Sequence, residues 1–222
     1  ISNVQSMINT FKNCTSFNVN LEKWSPNSLV SMNSTFKNCI SFTGDGLETW
    51  NVNNVKSMEK TFLNCDSFNI NLSNWIVSNV KSMIGTFENC IIFTGDGLET
   101  WDVSNVLSMN GTFKNCIIFN SNLSNWNVSN VKSMGDTFDN CTNFTGDGLE
   151  DWTTDTLIKM YRTFKNCISF NTNLQKWNIN KVNNMISTFE NCTNFTGDGL
   201  ETWNISNVQS MINTFKNCTS FN

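Results

Sequence analysis

Histidine and alanine are missing from this 222-residue chain, and proline, arginine and tyrosine occur once each, at Pro26, Arg162 and Tyr161. Without histidine the chain lacks the usual general base and the commonest metal ligand. Charge is sparse: 14 Lys and Arg stand against 18 Asp and Glu, for a net charge of −4. Read along the chain they are scattered and form no basic stripe, so nucleic acid is not an expected partner. The longest apolar runs, such as Cys116–Phe119, are far too short to span a bilayer, and no membrane insertion is expected. No paired carboxylates or nucleophile–base pair occur at usable spacing, so neither an enzyme nor a cofactor is expected. No signal peptide is visible, and since the chain starts inside a repeat unit this excludes nothing.

What the chain has instead is a repeat. Residues 1–18 recur unchanged as residues 205–222, an outer period of 204. Cysteines fall at Cys14, Cys39, Cys65, Cys90, Cys116, Cys141, Cys167, Cys192 and Cys218, in steps alternating between 25 and 26. Units this short cannot bury their own apolar faces and must stack on neighbours. The expectation is therefore one tandem-repeat solenoid over 1–222, of about eight and a half coils paired as 51-residue units.

Taking the coil from Leu72, Leu72, Trp75 and Val77 keep an L-x-x-W-x-V spacing, and Trp75 and Val77 are two apart, the strand period. Ser78-Asn79 is good helix N-cap chemistry. Val80, Met83, Phe87 and Cys90 then follow at steps of three, four and three, the spacing of one helix face. Each coil thus reads as a short strand, a helical or 3₁₀ stretch of about ten residues, and two turns. Stacked, the strands would make one parallel sheet with a rise of about 4.8 Å per coil and roughly 38 Å over eight. This is an α/β solenoid. Its inward columns would be Leu, Trp, Val, Val, Met, Phe, Cys and Phe. The tryptophan column comprises Trp24, Trp50, Trp75, Trp101, Trp126, Trp152, Trp177 and Trp203. Pro26, in place of a strand valine, should cost one ladder hydrogen bond.

The pattern W-x-V-S-x-V-x-x-M-x-x-x-F-x-x-C, seen as Trp126-Asn127-Val128-Ser129-Asn130-Val131, Met134, Phe138 and Cys141, resembles the short tandem repeats of bacterial and mycoplasmal surface proteins. The resemblance covers the whole chain. It implies a right-handed α/β solenoid related to leucine-rich repeats, displayed at the cell surface, in a family many of whose members have no assigned biochemical role. This chain departs from the pattern by alternating two kinds of corner.

One corner is Thr-Gly-Asp-Gly, centred on Asp45, Asp96, Asp147 and Asp198; the other is Asn-x-Asn, as at Asn69–Asn71. Oxygen-rich Gly-Asp-Gly turns suggest calcium. The acids recur only every second coil, about 10 Å apart, so a turn needing positive φ is the favoured reading. The cysteine column suggests zinc or disulfides. One thiol per coil without histidine argues against zinc, and a reduced, buried stack is favoured, with disulfides between coils as the alternative. Asn precedes every cysteine and is expected to bond the backbone of adjacent coils. Thr precedes every first Phe; an ice-binding row is the less favoured reading and a structural ladder the simpler one. Asn-x-Ser/Thr triplets such as Asn33-Ser34-Thr35 would carry glycans only on a glycosylating route. One coil is odd. Asp151, Asp155, Tyr161 and Arg162 stand in it as candidates for a specific contact, although drift between repeats is the favoured explanation.

These readings point to an extracellular or surface-displayed structural protein, a fibre or stalk, whose partner is itself: further coils in the same chain or copies end to end. An adhesin recognising a cell-surface ligand through the sheet face is the alternative. Solenoids need polar caps, and residues following Asn222 are expected to read like Val19-Asn20-Leu21-Glu22-Lys23-Trp24.

Overall fold

A computed structural model describes all residues, 1–222. The chain winds into stacked coils around one cluster of 54 buried residues, so the interior is continuous from one end to the other. The columns Leu, Trp, Val, Val, Met, Phe, Cys and Phe line it; in the middle coils these side chains are at most 2% exposed. First-Phe rings stack coil on coil, as Phe87 on Phe113 at 5.8 Å and 3°. Tryptophans do the same, with Trp101 on Trp126 at 6.5 Å and 0°.

The expected strand-and-helix coils do not form. The only helices are four single 3₁₀ turns, Leu47–Thr49, Leu98–Thr100, Leu149–Asp151 and Leu200–Thr202, all at the Gly corners rather than in the Val-to-Cys stretch. Parallel bridging is one residue wide, in the column Ser6, Ser31, Ser57, Ser82, Ser108, Ser133, Lys159, Asn184 and Ser210, and the Trp column takes no part.

The backbone bonds explain why. From Met83, every second N–H donates to the next coil: Met83 to Ser108 O (3.1 Å), Gly85 to Asn110 O (2.8 Å), Phe87 to Thr112 O (2.9 Å) and Asn89 to Lys114 O (2.8 Å). Three of the alternate N–H groups turn back three residues within the coil: Thr86 to Met83 O, Glu88 to Gly85 O and Cys90 to Phe87 O. These N–H groups are therefore satisfied without an i−4 bond. Positive φ recurs in the stretch, as at Lys60 (55°) and Asn64 (60°), which a right-handed helix cannot hold. A run of tight turns advances three to four residues per inward side chain, and so copies helical spacing. We call this the ladder side.

The opposite side, carrying Leu, the 3₁₀ turn and Trp, is joined mainly by side chains. Each indole from Trp50 onward donates Nε1–H to the leucine carbonyl of the preceding coil, for example Trp75 to Leu47 O at 2.8 Å and Trp101 to Leu72 O at 3.1 Å. The Val77 N–H makes no backbone bond, nor does that of Val52. Pro26 occupies this column and is buried, so it forfeits no ladder bond, contrary to the expectation from sequence.

The two corners alternate because they fit each other. Gly46 has φ 91°, and a Cβ there would lie 2.1 Å from the Glu22 backbone nitrogen in the preceding Asn corner. The Gly corner needs one residue more between Phe and Leu (Phe42–Leu47 against Phe68–Leu72), which accounts for the 26/25 step. Asn and Thr also pair across it: Thr94 N and Oγ1 both donate to Asn69 Oδ1, at 3.1 and 3.0 Å.

Candidate functional site

The four corner aspartates are exposed, and their backbone rather than their carboxylate ties the coils together: Leu72 N donates to Asp96 O at 3.0 Å. No group of three or more Cys, Asp or Glu side chains comes together as a metal site. All nine cysteines are free thiols. Each from Cys39 onward directs its S–H at the first-Phe carbonyl of the preceding coil, as Cys90 Sγ to Phe62 O at 3.2 Å and Cys116 Sγ to Phe87 O at 3.0 Å. Burial, reinforced by Cys14, pushes the Cys39 thiol up to about 11. Burial likewise pushes up Cys65, Cys90, Cys116, Cys141, Cys167 and Cys192. These thiols are donors held protonated, not nucleophiles.

The threonine column is buried. Thr112 is 0% exposed, with Oγ1 2.7 Å from Met109 O and 2.9 Å from Met83 O, so it offers no face to ice. The asparagines before cysteine bond each other rather than backbone, as Asn64 Nδ2 to Asn38 Oδ1 (2.6 Å) and Asn115 Nδ2 to Asn89 Oδ1 (2.5 Å). Asparagine tolerates their left-handed φ of about 60° better than most side chains.

The odd-coil residues do not converge. Asp151 pairs with Lys176 at 2.6 Å, both more than half exposed, and Asp155 accepts from Asn178 Nδ2 at 2.6 Å. Tyr161 and Arg162 lie on the ladder side, matched to the coil before them. A Cβ on Gly135 would sit 2.2 Å from the Tyr161 ring, so that glycine is the seat of the ring. Arg162 Nε approaches Asp136 Oδ1 at 2.8 Å, and Nη2 donates to Oδ2 at 3.1 Å. Burial lowers the Arg162 pKa, but Asp136 outweighs it and the net shift is upward. Asp139 beside them is buried, and burial raises its carboxyl pKa against the pull of Lys114. The oddity is paired between neighbouring coils, which drift alone does not account for.

Charge, scattered along the sequence, is sorted by the fold. The ladder-side arcs are 4–14, 29–39, 55–65, 80–90, 106–116, 131–141, 157–167, 182–192 and 208–218. They hold 11 of the 14 cations and 5 of the 18 acids, a net +6. The rest of each coil holds 3 cations and 13 acids, a net −10. The two sides face each other across the core, where Phe62 meets Trp75 at 6.1 Å. The reading of scattered charge from sequence therefore fails in three dimensions. The missed signal was there in the columns: reading charge by position within the coil would have found it.

Residues 1–97, 71–148 and 132–222 each match the family model described as "Mycoplasma protein of unknown function, DUF285", together covering the whole chain. The chain belongs to this family. No curated protein matches it. Among solved structures it is similar to a leucine-rich repeat protein from Bacteroides ovatus ATCC 8483, at 16% identity and a TM-score of 0.27 over 84% of this chain. The chain spans 61% of that protein. It is also similar to a leucine-rich cell surface protein from Faecalibacterium prausnitzii A2-165, at 14% identity, a TM-score of 0.32, and coverage of 97% of this chain and 74% of that one. These scores are too low to assign the fold of this family member, which rests on its own ladders. No helix is long and apolar enough to cross a membrane.

Proposed function

We propose that this protein is a non-enzymatic structural repeat protein, a rod serving as a surface-displayed fibre or stalk, with like coils as its partners and no cofactor. One observation carries this reading. The first-Phe column runs unbroken through the stack from Phe11 to Phe215, the tryptophans stack beside it from Trp75 to Trp177, and successive coils meet through the same set of contacts. Such an interior sets length by copy number and offers no position different enough to house a reaction. The surface location draws on the resemblance of the repeat to those of bacterial and mycoplasmal surface proteins, in keeping with the mycoplasma family to which the chain belongs. The adhesin reading loses its best anchors, since Tyr161 and Arg162 are engaged by Gly135 and Asp136 within the rod.

The test is antibody labelling of intact source cells, combined with electron microscopy of the labelled material. Labelling of thin projections before permeabilisation supports the proposal. Labelling only after permeabilisation, or of compact particles, refutes it.

A further inference from the structure

We propose that these rods associate side by side, the basic ladder side of one copy lying against the acidic corner edge of a second copy. The inference goes beyond the reading above and does not depend on where the rod is displayed.

The two sides differ most in the charge left unpaired. The five acids of the ladder side are half-buried or buried, and several are engaged internally: Asp136 by Arg162, Glu190 by Lys165 and Lys216 (3.4 and 3.1 Å), and Glu59 by the Ser82 hydroxyl (2.7 Å). Lys56, Lys60, Lys81, Lys132 and Lys159 on the same side are exposed and form no ion pair. On the other side each Gly corner puts two exposed acids three residues apart, Asp96 with Glu99 and Asp147 with Glu150 among them, and these too form no ion pair. Glu99 spends one oxygen on the Gly97 N–H at 2.9 Å.

A second copy is the partner that fits. Lys81 and Lys132 stand 51 residues apart, the two-coil spacing of Asp96 and Asp147, so one axial setting of two copies places both lysines against acid pairs. A generic polyanion has no such registry, and the chain's net charge of −4 disfavours one. Each exposed pair contributes little alone, but many in series act together once the first has formed. Attraction of this kind is screened within about 10 Å at 0.1 M salt, so it must fade as salt rises.

The experiment is sedimentation velocity of the 222-residue chain at about 20 mM and about 500 mM NaCl, a range over which screening changes severalfold. A second arm cross-links a mixture of isotopically light and heavy copies with a zero-length carbodiimide. The expected result is a faster, concentration-dependent species at low salt that is lost at high salt. Cross-links should join Lys81 or Lys132 of one copy to Asp96, Glu99, Asp147 or Glu150 of another. In the variant D96N/E99Q/D147N/E150Q the glutamine amides keep an acceptor for the Gly97 and Gly148 N–H groups. It should sediment as a monomer at both salts with an unchanged melting curve. A wild-type monomer at low salt overturns the proposal. So does association that survives high salt or the quadruple variant.

Discussion

The two sides of each coil bury the same kind of column but are joined by different means. On the ladder side five backbone bonds tie each coil to the next: four from the Met, Gly, Phe and Asn positions in the coil of Met83, and one returning from Leu107 N to Lys81 O. Across the core the Trp side relies on indole-to-carbonyl bonds and corner contacts, and the Val77 N–H makes no backbone bond. The difference teaches where the sequence is free. Pro26 is absorbed on the Trp side without loss, whereas the Met83, Gly85, Phe87 and Asn89 N–H groups are each committed to the next coil. Coil-to-coil backbone bonding, rather than any strand or helix, sets which substitutions are tolerated.

Alkali should separate the two sides most strongly. The buried thiols donate to ladder-side carbonyls, and their pKa values are raised in the fold, Cys39 to about 11. A raised thiol pKa means that the stabilisation is fully present below the unfolded-state value near 9 and is lost as pH rises through the folded value. With reductant present, the melting temperature should fall steeply between about pH 9 and 11, the window set by the unfolded thiol and Cys39. Replacing Cys90 and Cys116 by valine should flatten that fall, as thermal scans across pH will reveal.

Proline substitution makes the comparison directly. Lys81→Pro removes the bond from Lys81 N to Lys56 O (2.9 Å) and should cost about 3 kcal/mol or more in urea unfolding. A smaller loss, about 1–3 kcal/mol, is expected for Gly135→Ala, which overpacks the Tyr161 ring. Adding Tyr161→Ile, the residue at the same position in Ile84 and Ile186, should restore most of it, a coupling that a double-mutant cycle measures. Smallest of all, Val77→Pro sits in the Pro26 column with no N–H bond to lose. It should cost under about 1.5 kcal/mol, the range of volume-conserving core changes. If Val77→Pro proves as damaging as Lys81→Pro, the two sides are not built differently.

Much of the interior could be read from period alone. The positions of Leu72, Trp75, Val77, Val80, Met83, Phe87, Cys90 and Phe93 are the buried ones because spacing reports which side chains face inward, whatever the backbone does between them. The backbone itself was misread for the same reason. Successive tight turns and a helix both bring an inward residue round every three or four positions, and the asparagines that mark left-handed φ, such as Asn64 and Asn89, pass in sequence for ordinary polar residues. The charged sides were hidden because linear order mixes what stacking sorts. Tyr161 and Arg162 looked like free anchors because their seats, Gly135 and Asp136, lie 26 residues earlier, in the coil before.

Amide hydrogen exchange resolved by residue tests the stitched-ladder account most directly. The Met83, Gly85, Phe87 and Asn89 amides should exchange only through global unfolding, while those of Ile76 and Val77 exchange orders of magnitude faster although Trp75 beside them is buried. Equal protection at Trp75, Ile76 and Val77 would mean that a paired strand runs through the Trp column, and would contradict the account.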